Sequence, residues 1–129
     1  TSPTFDMANV NMTINGEEGN DTLWAVEGHD ILNGGAGDDI LFGDQGNDSF
    51  TGGEGSDIFE FVSSETNQTD TIQDYTSEDK LKFYLTPDEN ELTDSNIVNG
   101  NILWGNVTID LAGVEVASLD DLNIVYDLI

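Results

Sequence analysis

From residue 16 to residue 60 the chain repeats itself every nine residues. The blocks read GEEGNDTLW, AVEGHDILN, GGAGDDILF, GDQGNDSFT and GGEGSDIFE. The fourth position is always Gly (Gly19, Gly28, Gly37, Gly46, Gly55) and the sixth always Asp (Asp21, Asp30, Asp39, Asp48, Asp57). The eighth is always large and apolar: Leu23, Leu32, Leu41, Phe50, Phe59. The first is Gly except at Ala25. With Gly at about 7% of average usage, such in-phase coincidences are not chance. The period confines the chain to a stacked-repeat architecture, in which a unit buries its apolar side only against its neighbours.

Each block divides into a turn and a strand. Six residues of Gly and short polar side chains make a tight turn, because Gly reaches backbone angles closed to other residues. Three strand residues follow, and only the middle one points inward, since side chains alternate along a strand. Two blocks complete one coil, so stacked positions lie 18 residues apart. That spacing sets Asp21 against Asp39, Asp30 against Asp48, and Asp39 against Asp57. Stacked carboxylates repel unless a cation sits between them.

Turn carbonyls are expected to complete the shell. Successive carbonyls should point alternately to the two sides of the turn, so that positions one and three serve one neighbouring ion and positions two and four the other. The candidate backbone donors are Gly16 and Glu18, Glu27, Gly34, Gly35, Ala36 and Gly37, Gly43, Asp44, Gln45 and Gly46, and Gly52, Gly53, Glu54 and Gly55. Six hard oxygens with no nitrogen or sulfur suit Ca²⁺ rather than Zn²⁺ or copper. Mg²⁺ suits less well, because it gives up its waters reluctantly.

The charge balance supports a resident cation. Two Lys, no Arg and 27 acidic residues give a net charge of −25. Nucleic acid and anionic membrane surfaces are excluded as partners, since both need a basic patch. Such a chain repels itself, so it is either disordered or built around a cation. Two Trp, three Tyr, six Phe and several β-branched runs speak against plain disorder. There is no Cys, hence no disulfide staple and no thiolate site. A small extracellular domain without disulfides needs another staple, and a metal is one. No apolar run approaches a membrane span. Thr1-Ser2-Pro3-Thr4 lacks the basic and apolar regions of a secretory signal. The absence of an initiator Met reads as an excised piece, with upstream domains of a larger parent chain as expected partners.

These blocks resemble the RTX (repeats-in-toxin) family, whose pattern is GGxGxDxUx. The resemblance implies a parallel β-roll, an all-β solenoid, with one calcium per stacked pair of turns. Asp21, Asp30, Asp39, Asp48 and Asp57 match the family's ligand aspartate, and residues 34–37 and 52–55 match its loop in full. Glu17, Val26 and Asp44 depart at position two, and Ala25 at position one. AVEGHD is therefore the weakest loop. Residues 10–15 (VNMTIN) keep the strand but lose the loop.

The resemblance continues past Glu60. DTIQDY from Asp70, followed by EDKL from Glu78, resembles the segment that closes RTX rolls in secreted proteases and adhesins. By that likeness Asp70, Asp74 or Asp79 completes a last ion site over Asp57; solvated loop acids are the alternative. The rest reads as antiparallel β, beginning with the alternation of residues 80–85. Asn99-Gly100 and Gly105-Asn106 mark two hairpins. Residues 92–95 and 118–122 read as short helical turns. Asp127-Leu128-Ile129 resembles a type I secretion signal, so the family implies export through that apparatus to the extracellular space or the cell surface.

The expected organisation is a single module over 1–129. It has an N-terminal strand or cap at 7–15, five repeats at 16–60, and a C-terminal cap of antiparallel hairpins with the secretion-signal region at 61–129. Odd blocks put Thr22, Trp24, Ile40, Phe42 and Ile58 outward on one sheet. A face this apolar calls for a partner, and the segment 80–129 is expected to pack on it.

No enzyme is read here. HExxH, GxSxG and Walker patterns are absent. The single His29, at position five of a turn, reads as an exposed loop residue rather than a catalyst. The repeat spacing already accounts for the paired carboxylates that a glycosidase would need. The leading function is a calcium-binding module that folds on Ca²⁺ outside the cell and serves secretion and folding of a larger protein. The alternative is a calcium-dependent carbohydrate- or surface-binding module of an adhesin or alginate-modifying enzyme.

Overall fold

A computed structural model describes residues 10–129. Of the expected cap at 7–15, residues 7–9 lie outside the described residues. The described chain is all-β: two sheets face each other across one core, and the chain winds from one to the other. Strands β1 (Thr13–Asn15), β3 (Ile31–Ala36), β5 (Ser49–Glu54) and β7 (Gln68–Ile72) belong to the first sheet. Strands β2 (Thr22–Trp24), β4 (Ile40–Phe42), β6 (Ile58–Phe61) and β8 (Lys80–Leu85) belong to the second. All these pairs are parallel. This is the parallel β-roll that the resemblance implies.

The register shows why the nonapeptide folds this way. Thr13 faces Ile31, which faces Ser49, and Thr22 faces Ile40, which faces Ile58, each a step of 18 residues. The middle strand residues Leu23, Leu32, Leu41, Phe50 and Phe59 are all buried, while their neighbours point out. After Glu60 the step lengthens to 22: Ser49 faces Thr71 and Ile58 faces Lys80. Ile72 and Leu81 continue the inward column.

Towards the C-terminal end the core widens. Phe61 stacks on Phe83 at 5.5 Å between ring centroids, and Trp104 meets Phe83 edge-on at 5.1 Å. Trp104 is therefore a core residue. Strands β9 (Ile97–Val98), β10 (Asn101–Trp104) and β11 (Val107–Leu111) form the expected antiparallel hairpins. Asn99 and Gly100 have φ of 54° and 81°, the paired left-handed angles of a type I′ turn. The two expected helical turns are 3₁₀ turns at Asp94–Asn96 and Leu119–Asp121. Among the described residues no helix is long and apolar enough to cross a membrane.

Two expectations about the C-terminal segment are corrected. Lys80–Leu85 does not begin an antiparallel unit: β8 lies parallel between β6 and the last strand, β12 (Ile124–Leu128). Nor does the segment pack on the outer face of the second sheet, where Trp24 stays 68% exposed beside Phe42. Instead β11 pairs with the edge of β7 and β12 with the edge of β8. Backbone pairing decided the outcome. A sheet edge carries a row of N–H and C=O groups that need partners, and adding strands there also covers Phe61, Phe83 and Leu85.

Candidate metal centre

The turns stack along the two long edges of the roll. On the first edge lie residues 16–21, 34–39, 52–57 and 74–79; on the second, 25–30, 43–48 and 65–70. Positions two and four hold the backbone in the left-handed region: Glu17 (φ 71°), Gly35 (93°), Asp44 (65°) and Gly53 (89°), then Gly19 (103°), Gly37 (111°), Gly46 (110°) and Gly55 (110°). That alternation turns successive carbonyls to opposite sides. The Gly34 and Gly52 carbonyls at position one reach back to the preceding coil, and the Ala36, Gln45 and Glu54 carbonyls at position three do the same. The Glu17, Gly19, Gly35 and Gly37 carbonyls, at positions two and four, press on the following coil.

The coils stack so closely that a Cβ on Gly35 would lie 2.0 Å from the Glu17 carbonyl oxygen. The turn at 25–30 departs from the rule. Val26 is not in the left-handed region, and Gly28 opens to φ 140°. A β-branched side chain resists the left-handed angle, which is the physical content of the weak AVEGHD loop.

The aspartates use their two oxygens differently. From Asp30 on, each Oδ1 accepts the backbone N–H one coil back. On the first edge Asp21 N–H donates to Asp39 (2.8 Å), Asp39 to Asp57 (2.9 Å) and Asp57 to Asp79 (2.9 Å). On the second edge Met12 donates to Asp30 (2.8 Å), Asp30 to Asp48 (2.9 Å) and Asp48 to Asp70 (3.0 Å). The Oδ2 atoms of Asp21, Asp30, Asp39, Asp48 and Asp57 are buried and have no hydrogen-bond partner. A buried, unpaired carboxylate oxygen costs several kcal/mol and calls for a proton or a cation.

Among the described residues the chain offers no cation for them. Ion pairs are made by Lys82 alone, with Glu60 and Asp127 at 3.7 Å each, on the outer face of the second sheet. Protons are the fallback. Burial, with the Asp70 and Asp30 charges adding to it, pushes Asp48 up to about 8, against the opposing pull of the Asp30 N–H. Burial likewise raises Asp57 and Asp70 to about 6.

The donor set fits a hard divalent ion. Asp39 Oδ2 and the Gly52 carbonyl oxygen converge on the space beside Gly34, 2.5 and 2.6 Å from where a Cβ would stand. Asp21 Oδ2 and the Gly34 carbonyl converge beside Gly16 at 2.7 Å each. No three His, Cys, Asp or Glu side chains cluster among the described residues, so carbonyls must complete each shell. An all-oxygen, mixed carboxylate–carbonyl shell is the chemistry of Ca²⁺.

The pairs read from the spacing are brought together: Asp21 with Asp39, Asp39 with Asp57, Asp30 with Asp48. Of the three post-repeat acids expected over Asp57, Asp79 alone stacks there. Asp70 stacks on Asp48. Both have a filled Oδ2: Gln68 Nε2 donates to Asp70 at 3.1 Å, and Thr76 N–H donates to Asp79 at 2.9 Å. Asp74 accepts the Gly52 and Gly53 N–H groups at 2.9 and 2.8 Å.

A second ladder, at position five, escaped the sequence reading. Asn20 Oδ1 accepts from Asp38 and Asp38 Oδ1 from Ser56. On the other edge Asn11 Oδ1 accepts from His29, His29 Nδ1 from Asn47, and Asn47 Oδ1 from Thr69. Its signal is in the sequence, since every block has an Asn, Asp, His or Ser there. His29 thus stands in for a side-chain oxygen.

The model of the RTX calcium-binding nonapeptide repeat family matches this chain in four copies, over residues 13–39 and 24–59. The matched span holds all five aspartates with an unpartnered Oδ2 and ends before Asp70 and Asp79. No curated protein matches the chain.

Proposed function

From an RTX nonapeptide roll, and so a Ca²⁺-binding one, we propose that calcium is the folding switch of this module. The ligands would be the carboxylates of Asp21, Asp30, Asp39, Asp48 and Asp57, with the turn carbonyls of the stacked coils. Five buried Oδ2 atoms without a partner carry this reading. The chain stays unfolded in the producing cell, where calcium is scarce. At the ~10⁻⁴–10⁻³ M typical of extracellular calcium modules, it binds and folds, because binding energy becomes folding energy. Its role is that of a non-catalytic export and folding unit of a larger protein secreted by a type I apparatus.

The test is a calcium titration of chelator-treated protein followed by far-UV circular dichroism, with magnesium as control. A cooperative coil-to-β transition in the sub-millimolar to millimolar range, absent with magnesium, is expected. Complete β structure in chelator, unmoved by calcium, would refute the switch.

One observation favours a second reading, a calcium-dependent carbohydrate- or surface-binding module. Trp24 stands open on the outer face of the second sheet, edge-on to Phe42 at 5.9 Å, and exposed aromatic rings serve as stacking surfaces. A glycan array with and without calcium separates the two. Calcium-dependent glycan capture that is lost in Trp24→Ala supports the second.

A further inference from the structure

Along both edges the inner aspartates end in a bare Oδ2, whereas Asp70, last on the second edge, does not. Asp70 is 2% exposed; its Oδ1 takes the Asp48 N–H and its Oδ2 takes Gln68 Nε2 at 3.1 Å. Gln68 is itself 5% exposed, and its Oε1 accepts the Gly46 N–H at 3.2 Å. Upstream, a backbone carbonyl performs the second task and no protein group performs the first. The position-four N–H groups of Gly19, Gly28 and Gly37 donate to the position-three carbonyls of Ala36, Gln45 and Glu54 in the next coil. Across the 22-residue step, Gly46 takes the Gln68 side chain instead. One planar amide therefore replaces a carbonyl with its oxygen and meets a carboxylate with its nitrogen. No further nonapeptide turn follows on this edge: the next strand against β7 is β11, entered from the hairpin at 105–106.

We propose that Gln68 terminates the ion row of the second edge. Its amide donor does for Asp70 what calcium does for Asp30 and Asp48, so Asp70 is not a ligand and no ion sits beyond Asp48. The inference rests on the ligand assignment above. It makes Gln68 the residue that sets how many ions this edge holds. Replacing it with Glu keeps the shape and the acceptor for Gly46. It also sets a second carboxylate oxygen against Asp70 Oδ2 with no proton between them, a pair that recruits a cation.

The experiment counts bound calcium by native mass spectrometry on the full chain, with far-UV circular dichroism in calcium as the check on folding. Asp70→Asn should hold as many ions as the wild type, while Asp48→Asn holds fewer. Gln68→Glu should hold one more, and Gln68→Glu with Asp70→Asn should return to the wild-type count. An ion lost in Asp70→Asn would overturn the proposal while leaving the ligand assignment standing, and so would a wild-type count in folded Gln68→Glu. If Gln68→Glu does not fold, the Asp70→Asn count decides. Equal counts in the wild type and Asp48→Asn would overturn the ligand assignment and, with it, this inference.

Discussion

Asp39 sits at the middle of the first edge, and its two oxygens can be tested against each other. Oδ1 accepts the Asp21 N–H at 2.8 Å, while the buried Oδ2 has no partner. Asp39→Ala removes both and strands a backbone donor, at a cost of about 1–3 kcal/mol whether or not calcium is present. Asp39→Asn keeps an acceptor for that donor and deletes the charge. In chelator it removes a buried unpaired anion and its repulsion with the stacked carboxylates, so the calcium-free fold should be no less stable than the wild type and should gain β structure. In calcium it removes an anionic ligand. Breaking a buried charge pair costs about 3–5 kcal/mol, which at about 1.4 kcal/mol per decade weakens that site by two to nearly four powers of ten.

The two variants should therefore diverge. Asp39→Asn is gentle or favourable in chelator and severe in calcium, whereas Asp39→Ala is damaging in both. The assay is urea unfolding at fixed millimolar calcium, and β content by circular dichroism in chelator with an osmolyte that populates the calcium-free fold, with calcium affinity from calorimetry. If the two variants lose stability equally in both conditions, the division of labour between Oδ1 and Oδ2 is wrong.

Three further outcomes are expected. Asp48 holds its proton up to about 8 in the calcium-free fold, against 3.8 without burial. Its contribution to that fold is thus complete below about pH 4 and lost as pH rises through about 8. Acidification in chelator should then raise β content, read by far-UV circular dichroism; a calcium-free chain whose β content does not rise as the pH falls below about 8 would count against it. Gly35→Ala places a Cβ 2.0 Å from a backbone oxygen at φ 93° and should cost roughly 2–5 kcal/mol, from strain and overpacking together. Gly19→Ala meets nothing within 4 Å and should cost only the angle, about 1–2 kcal/mol, so equal shifts in their calcium midpoints would refute the stacking argument. Lys82→Ala leaves the nearly buried Glu60 with the Tyr84 hydroxyl as its remaining partner and frees Asp127. Because Lys82 is partly exposed, the loss should be about 1 kcal/mol and salt-sensitive, with faster amide exchange across residues 124–128.

What could be read in advance and what could not divide at residue 60, for a physical reason. Inside the repeat, local chemistry and global stacking carry the same information. The Gly that lets the turn close also lets the next coil approach, and the strand residue that points inward meets its equivalent 18 residues on. A period is therefore a statement about three-dimensional neighbours, and the Asp21–Asp39 and Asp30–Asp48 pairs followed from counting. The Asn99-Gly100 hairpin was legible too, since two consecutive left-handed residues are an unusual demand on a chain.

Beyond Glu60 no period remains, and the step of 22 carries no mark in residue types. Alternation in KLKFYL announces a strand but is silent on whether its neighbour runs parallel or antiparallel. That choice belonged to the edges of β7 and β8, whose hydrogen-bonding groups exist only once the roll has formed. The same holds for Gln68 and Thr76. An amide and a turn N–H can meet an aspartate only where the coil no longer repeats, so the groups that close the rows are invisible to the rule that builds them. The apolar face with Trp24 misled for a related reason. Apolar side chains can wait for a partner on a surface, but an unpaired strand edge competes more strongly for the next available chain.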